Sequence, residues 1–103
     1  MSNQYKEAIH FTSKLTLGTK ARIIRIAQKW RQTDLATIAS VSQANVSAFE
    51  RDLPLCPSEE KRILEALGLV SDGIQFYKEK ISKYKSNPKA ISCFEKRLGN
   101  LEG

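Results

Sequence analysis

The chain contains no run of about 18 apolar residues, which excludes a membrane-spanning helix. It has a single histidine, His10, and nothing beside it at metal-ligand spacing, so no metal site is expected. Ser13, Ser42 and Ser47 lack a histidine placed to activate them, and no glycine-rich phosphate loop occurs. Neither catalysis nor a cofactor is therefore expected. There are only two cysteines, Cys56 and Cys93, and the N-terminal MSNQYKEAIHFTSKL has no apolar core long enough for a secretory signal. Together these point to reduced thiols and a cytoplasmic setting. Sustained two-residue alternation and Asn-Gly or Asp-Gly hairpin turns are missing as well, so the expected fold class is all-α.

What is present is positive charge. The 103 residues carry a net charge of +6 and a pI near 9.5, which suits a polyanionic partner. The charge is unevenly placed. Residues 17–36 hold Lys20, Arg22, Arg25, Lys29 and Arg31 against Asp34, and residues 71–103 hold seven Lys or Arg against four acids. Residues 37–70, between them, are slightly acidic. The bases of the first helix and the run Lys78, Lys80, Lys83, Lys85 read mainly as solvated helix faces.

Periodicity divides the rest. Ile23, Ala27 and Trp30, with Ile24 beside them, predict a buried stripe on a helix from about Thr19 to Trp30. Short helices are expected over Gln32–Ala39 and, capped by Ser42, over Gln43–Arg51. The linker around Pro54 and Pro57 breaks the pattern, and a fourth helix is expected from Ser58 to Gly68, with Glu59 and Glu60 in its first turn. Ile74, Tyr77, Ile81 and Tyr84, then Ile91, Phe94, Leu98 and Leu101 after the Asn87-Pro88 cap, predict a helical hairpin. The expected organisation is an arm over 1–16, a five-helix domain over 17–70, and a C-terminal helical extension over 71–103.

The stretch SVSQANVSAFER, residues 40–51, starts a helix whose exposed side is small and amide-bearing. Two short helices joined by Ser40-Val41-Ser42 make a helix-turn-helix, whose second helix enters the DNA major groove. Small residues permit close approach to base edges. Gln43 can bond an adenine edge bidentately, and Ala44 or Ala48 can touch a thymine methyl.

The span from Leu17 to Leu69 resembles the lambda-repressor-like helix-turn-helix family, also called the Cro/phage-repressor or XRE family. The matching residues are Arg25, Gln32-Thr33-Asp34-Leu35-Ala36, Val41-Ser42-Gln43, Val46-Ser47, Glu50-Arg51 and Leu64 to Leu67, about half the chain. The resemblance implies base reading by Gln43, Ala44, Ser47 and Ala48. It implies DNA-backbone contacts from Gln32, Arg31, Thr33, Asn45 and Arg51, and a structural ion pair between Arg25 and Glu50. It further implies a cytoplasmic, DNA-associated repressor-like transcriptional regulator, bacterial or encoded by a phage or mobile element, acting on a palindromic operator. The two apolar stripes beyond residue 70 suggest a homodimer. A protein-interaction module on the same scaffold, such as an antitoxin or a phage or mobile-element accessory factor, is the alternative, because fold does not fix function.

Departures from the family pattern also carry expectations. Ser40 stands where glycine is usual, and a left-handed conformation there would cost on the order of 1 kcal/mol. Arg31 replaces a small cap, Trp30 is expected to fill the space between the first two helices, and Asp52 stands where glycine often ends the third. Two alanines on the reading face leave specificity to lean on DNA shape.

Overall fold

The computed structural model describes residues 15–103. The arm expected over residues 1–16, His10 included, therefore lies outside the described residues except for its last two positions. Among the described residues the chain is all-helical: α1 Leu17–Ala27, α2 Gln32–Ala39, α3 Gln43–Glu50, α4 Pro57–Leu67, α5 Val70–Lys83 and α6 Pro88–Glu102. No helix in this region is long and apolar enough to cross a membrane.

The first helix differs from expectation at both ends. It begins at Leu17 because Thr16 is an effective N-cap, its Oγ1 accepting from the Thr19 N–H at 3.2 Å. It stops at Ala27 because Lys29 adopts a left-handed conformation, φ 61°. The Trp30 N–H then bonds the Arg25 carbonyl and the Lys29 N–H bonds the Ile26 carbonyl, the paired bonds of a Schellman motif. The buried stripe is also different. Leu17, Gly18, Ala21 and Arg25 face inward with Ile24 beside them, whereas Ile23 is half-buried and Ile26 is exposed. The inward turn of Arg25, to meet Glu50, sets this rotation.

The same closure ends the next three helices. Ser40 (φ 58°), Asp52 (φ 60°) and Gly68 (φ 70°) are each left-handed, and the N–H of the residue after each bonds a carbonyl in the preceding turn, those of Ala36, Ala48 and Leu64. Val41, Leu53 and Leu69 supply the apolar residue that follows each turn. Among the described residues only one of the four left-handed positions is glycine; Lys29 and Ser40 each carry strain of about 1 kcal/mol, and Asp52 less, because aspartate visits this region more readily. Ser40→Gly is accordingly expected to raise stability by about 0.5–1 kcal/mol, read as a higher urea midpoint at unchanged slope.

Asp52 does more than end α3. Its carboxylate accepts from Thr16 Oγ1 at 2.8 Å and from the Gly18 N–H at 3.1 Å, tying the start of α1 to the end of α3. A carboxylate at a helix N-terminus also complements the helix dipole. The approach is so close that a Cβ on Gly18 would lie 2.3 Å from the Phe49 carbonyl oxygen, and only glycine fits.

Leu35, Val46, Ile63 and Leu64 form the centre of the core. Tyr77 of α5 and Leu101 of α6 belong to the same buried cluster, with Ile74, Phe76, Phe94 and Leu98 packed against it. The C-terminal hairpin of α5 and α6 is thus seated on a body of four helices, α1–α4, where five were expected over residues 17–70. Its inner face holds the rings of Tyr77 and Phe94, with centroids 6.1 Å apart, while Tyr84 sits at the exposed end. Polar bonds reinforce the seat: Asn100 Nδ2 donates to the Pro57 carbonyl at 2.9 Å and Arg97 Nη2 to the Leu55 carbonyl at 2.8 Å. Buried Glu60 of α4 joins both hairpin helices, accepting from Tyr77 Oη at 2.6 Å and pairing with Arg97 Nη1 at 3.3 Å.

Burial, and then the Glu60 carboxylate on its hydroxyl, push the Tyr77 phenol well above its ordinary value of 10. Folding keeps this proton on, so the unfolded chain releases it first as pH rises. Its stabilising contribution is complete below pH 10 and declines above it. Urea titrations between neutral and strongly alkaline pH are expected to show stability falling above pH 10, with a shallower fall in Tyr77→Phe.

Candidate nucleic-acid interface

The two short helices α2 and α3 present the residues singled out by sequence; α1 packs against α3, and α4 supports both. Ser42 begins α3 by accepting from the Asn45 N–H at 3.1 Å, which satisfies one free donor of the first turn. Val46 and Phe49 then point inward, leaving Gln43 and Ala44 exposed, with Ser47 and Ala48 half-buried beside them.

A continuous polar chain positions Gln43. Arg25 meets Glu50 in a two-point ion pair, Nε to Oε2 at 2.5 Å and Nη2 to Oε1 at 3.1 Å, and both residues are 9% exposed. The remaining Arg25 nitrogen, Nη1, donates to the Trp30 carbonyl at 2.8 Å. Gln32 Nε2 donates to the same Glu50 Oε1 at 3.1 Å, and Gln43 Nε2 donates to Gln32 Oε1 at 2.9 Å. These bonds fix the Gln32 amide from both ends. They leave the Gln43 carbonyl oxygen and its second N–H facing outward for further bonds, an acceptor and a donor at one exposed tip.

The flanking residues divide. Arg31, Thr33 and Arg51 are exposed around the pair of helices. Arg31 caps α2 with its backbone alone, since its N–H donates to the Asp34 carboxylate at 2.8 Å and its guanidinium has no part in the cap. The Arg51 guanidinium folds back, Nε donating to the Ser47 carbonyl at 3.3 Å. Asn45 is already engaged: its Nδ2 donates to the Glu59 carboxylate of α4. Reaching a phosphate with Asn45 would require giving up this bond. Trp30 is half-buried against the core, and its carbonyl serves Arg25.

Sequence reasoning missed the Asn45–Glu59 bond, the Asp52 clamp and the Gln32–Gln43 link. For the last, the signal was present in two amides placed one at the start of each helix. The other two join residues across loops whose path the sequence pattern does not specify. Comparison with family models, with characterised proteins and with solved structures finds no match to this chain.

Proposed function

We propose that the chain is a sequence-specific double-stranded DNA-binding regulator of the helix-turn-helix type, with α3 entering the major groove and Gln43 as its principal reading residue. The polar chain Arg25–Glu50–Gln32–Gln43 carries this reading. It holds an amide rigidly at the exposed first turn of a helix whose neighbouring residue, Ala44, is too small to obstruct approach. Pre-placed donors and acceptors recognise base edges at little cost in ordering. Arg31, Thr33 and Arg51 lie to the sides, where phosphates run, and the net positive charge supports attraction to them. The resemblance of residues 17–69 to lambda-repressor-like domains supports the same reading.

Two copies on a palindrome would place their α3 helices about 34 Å apart. Of the hairpin stripes that suggest self-association, Ile74, Tyr77, Phe94, Leu98 and Leu101 pack on the chain's own core, while Tyr84 is exposed.

Selection of bound duplexes from a random library, followed by titration of the best one against a scrambled control at several salt concentrations, tests the proposal. Affinity at least about 1,000-fold above the control is expected. Gln43→Ala should weaken the selected duplex by about 1–3 kcal/mol while leaving the scrambled one unchanged. Equal, steeply salt-dependent binding to both duplexes would overturn sequence-specific reading.

A further inference from the structure

On the side of the core facing the C-terminal hairpin, a cleft of about 320 Å³ opens between the start of α1, the α3–α4 linker, α5 and α6. Four aromatic side chains line it: Phe49, Phe76, Tyr77 and Phe94. Glu60 lines it too, is 5% exposed, and has one oxygen, Oε1, with no hydrogen-bond partner among the described residues. Tyr77 and Arg97 both engage the other oxygen, Oε2. A buried carboxylate oxygen left unpaired is costly and is satisfied by any donor that reaches it.

We propose that this cleft binds a small aromatic molecule, of the size of one or two fused rings, that carries a hydrogen-bond donor and no negative charge. The volume lies at the lower end of ligand sites, roughly 300–1,000 Å³, which suits a ring system and little else. The aromatic walls favour an aromatic body through edge and offset contacts. The donor answers Glu60. Anions are disfavoured because, among the described residues, the charged members of the lining are Glu60, Asp52 and Arg97, and Arg97 is already shared between Glu60 and the Leu55 carbonyl. The site stands independently of the nucleic-acid reading.

Cys93 is exposed on α6 and lines the cleft, which supplies a reporter. Cys56 is also exposed and its thiol is lowered by its contact with the Ser58 hydroxyl, so it would react in parallel and is replaced by serine. In the full-length Cys56→Ser chain, the rate of Cys93 modification by N-ethylmaleimide is measured against increasing indole, 1-methylindole and indole-3-acetate, alongside the thermal midpoint. Indole is expected to slow modification saturably and to raise the midpoint. 1-Methylindole, which keeps the ring and loses the donor, should bind at least about 10-fold more weakly, as should the acid. In a separate Cys93→Trp chain, which fills the mouth of the cleft, indole should no longer shift the midpoint. Equal effects of indole and 1-methylindole overturn the donor requirement. Absence of protection by any probe, or protection that follows protein concentration alone and so marks a second copy as the occupant, overturns the site.

Discussion

Replacing Glu50 with alanine is expected to lower stability by about 3–5 kcal/mol, the range seen when one partner of a buried ion pair is removed. The Arg25 guanidinium would stay buried with only the Trp30 carbonyl as partner, and Gln32 would lose its acceptor. For a domain whose total stability is of order 5–15 kcal/mol, such a loss leaves a substantial unfolded fraction at physiological temperature. Urea denaturation measures it directly. The pair Arg25→Met with Glu50→Leu is expected to recover most of the loss, because two apolar side chains of similar volume avoid desolvating charge. It would not recover recognition. The Gln32 amide would no longer be anchored, Gln43 would lose its fixed partner, and affinity for the selected duplex should fall while the chain remains folded. Recovery of both stability and specific affinity would show that the polar chain positions nothing.

That ion pair was legible in the sequence through the family resemblance, and the local signals were legible without it. Ser42 and the Asn87-Pro88 pair start their helices as their chemistry requires, and Ser40 and Asp52 are left-handed where the family pattern has glycine, whereas Pro57, read as a break before a helix from Ser58, is itself the first residue of α4. Each depends only on neighbours within a few residues. Apolar spacing assigns the inner face of the first helix to Ile23, Ala27 and Trp30, whereas the inward residue that fixes its rotation is the charged Arg25. Lys29 gave no warning of a left-handed turn, since its side chain has no special preference for one. The Asp52 clamp on Gly18, the Asn45–Glu59 bond and the Glu60–Tyr77–Arg97 group join different helices, and local pattern does not encode which of them meet. For the candidate interface, sequence identified the exposed tip of α3 but not the bonds that hold it still.

The second large effect concerns the seat of the hairpin. Leu64 is fully buried in α4, and Gly73 of α5 lies against it so closely that a Cβ there would stand 2.8 Å from Leu64 Cδ1 and 3.0 Å from Leu101 Cδ1 of α6. Leu64→Ala is expected to cost about 2–5 kcal/mol, according to how far the surroundings relax into the space left behind. Gly73→Ala gains about 1 kcal/mol in helix propensity. It nevertheless forces two methyl groups aside, and a net loss of about 1–3 kcal/mol is expected. Combined, the changes should not add: the methyl introduced by Gly73→Ala would enter the space vacated by Leu64, and one of its two collisions would vanish. A double-mutant cycle by urea denaturation is therefore expected to give a favourable coupling of about 0.5–3 kcal/mol. Because Leu101 forms the other wall, the transition should stay single when followed by far-ultraviolet dichroism and by tyrosine fluorescence. Strict additivity, or a separate early transition of the hairpin, would mean that α5 and α6 do not share the core through Gly73.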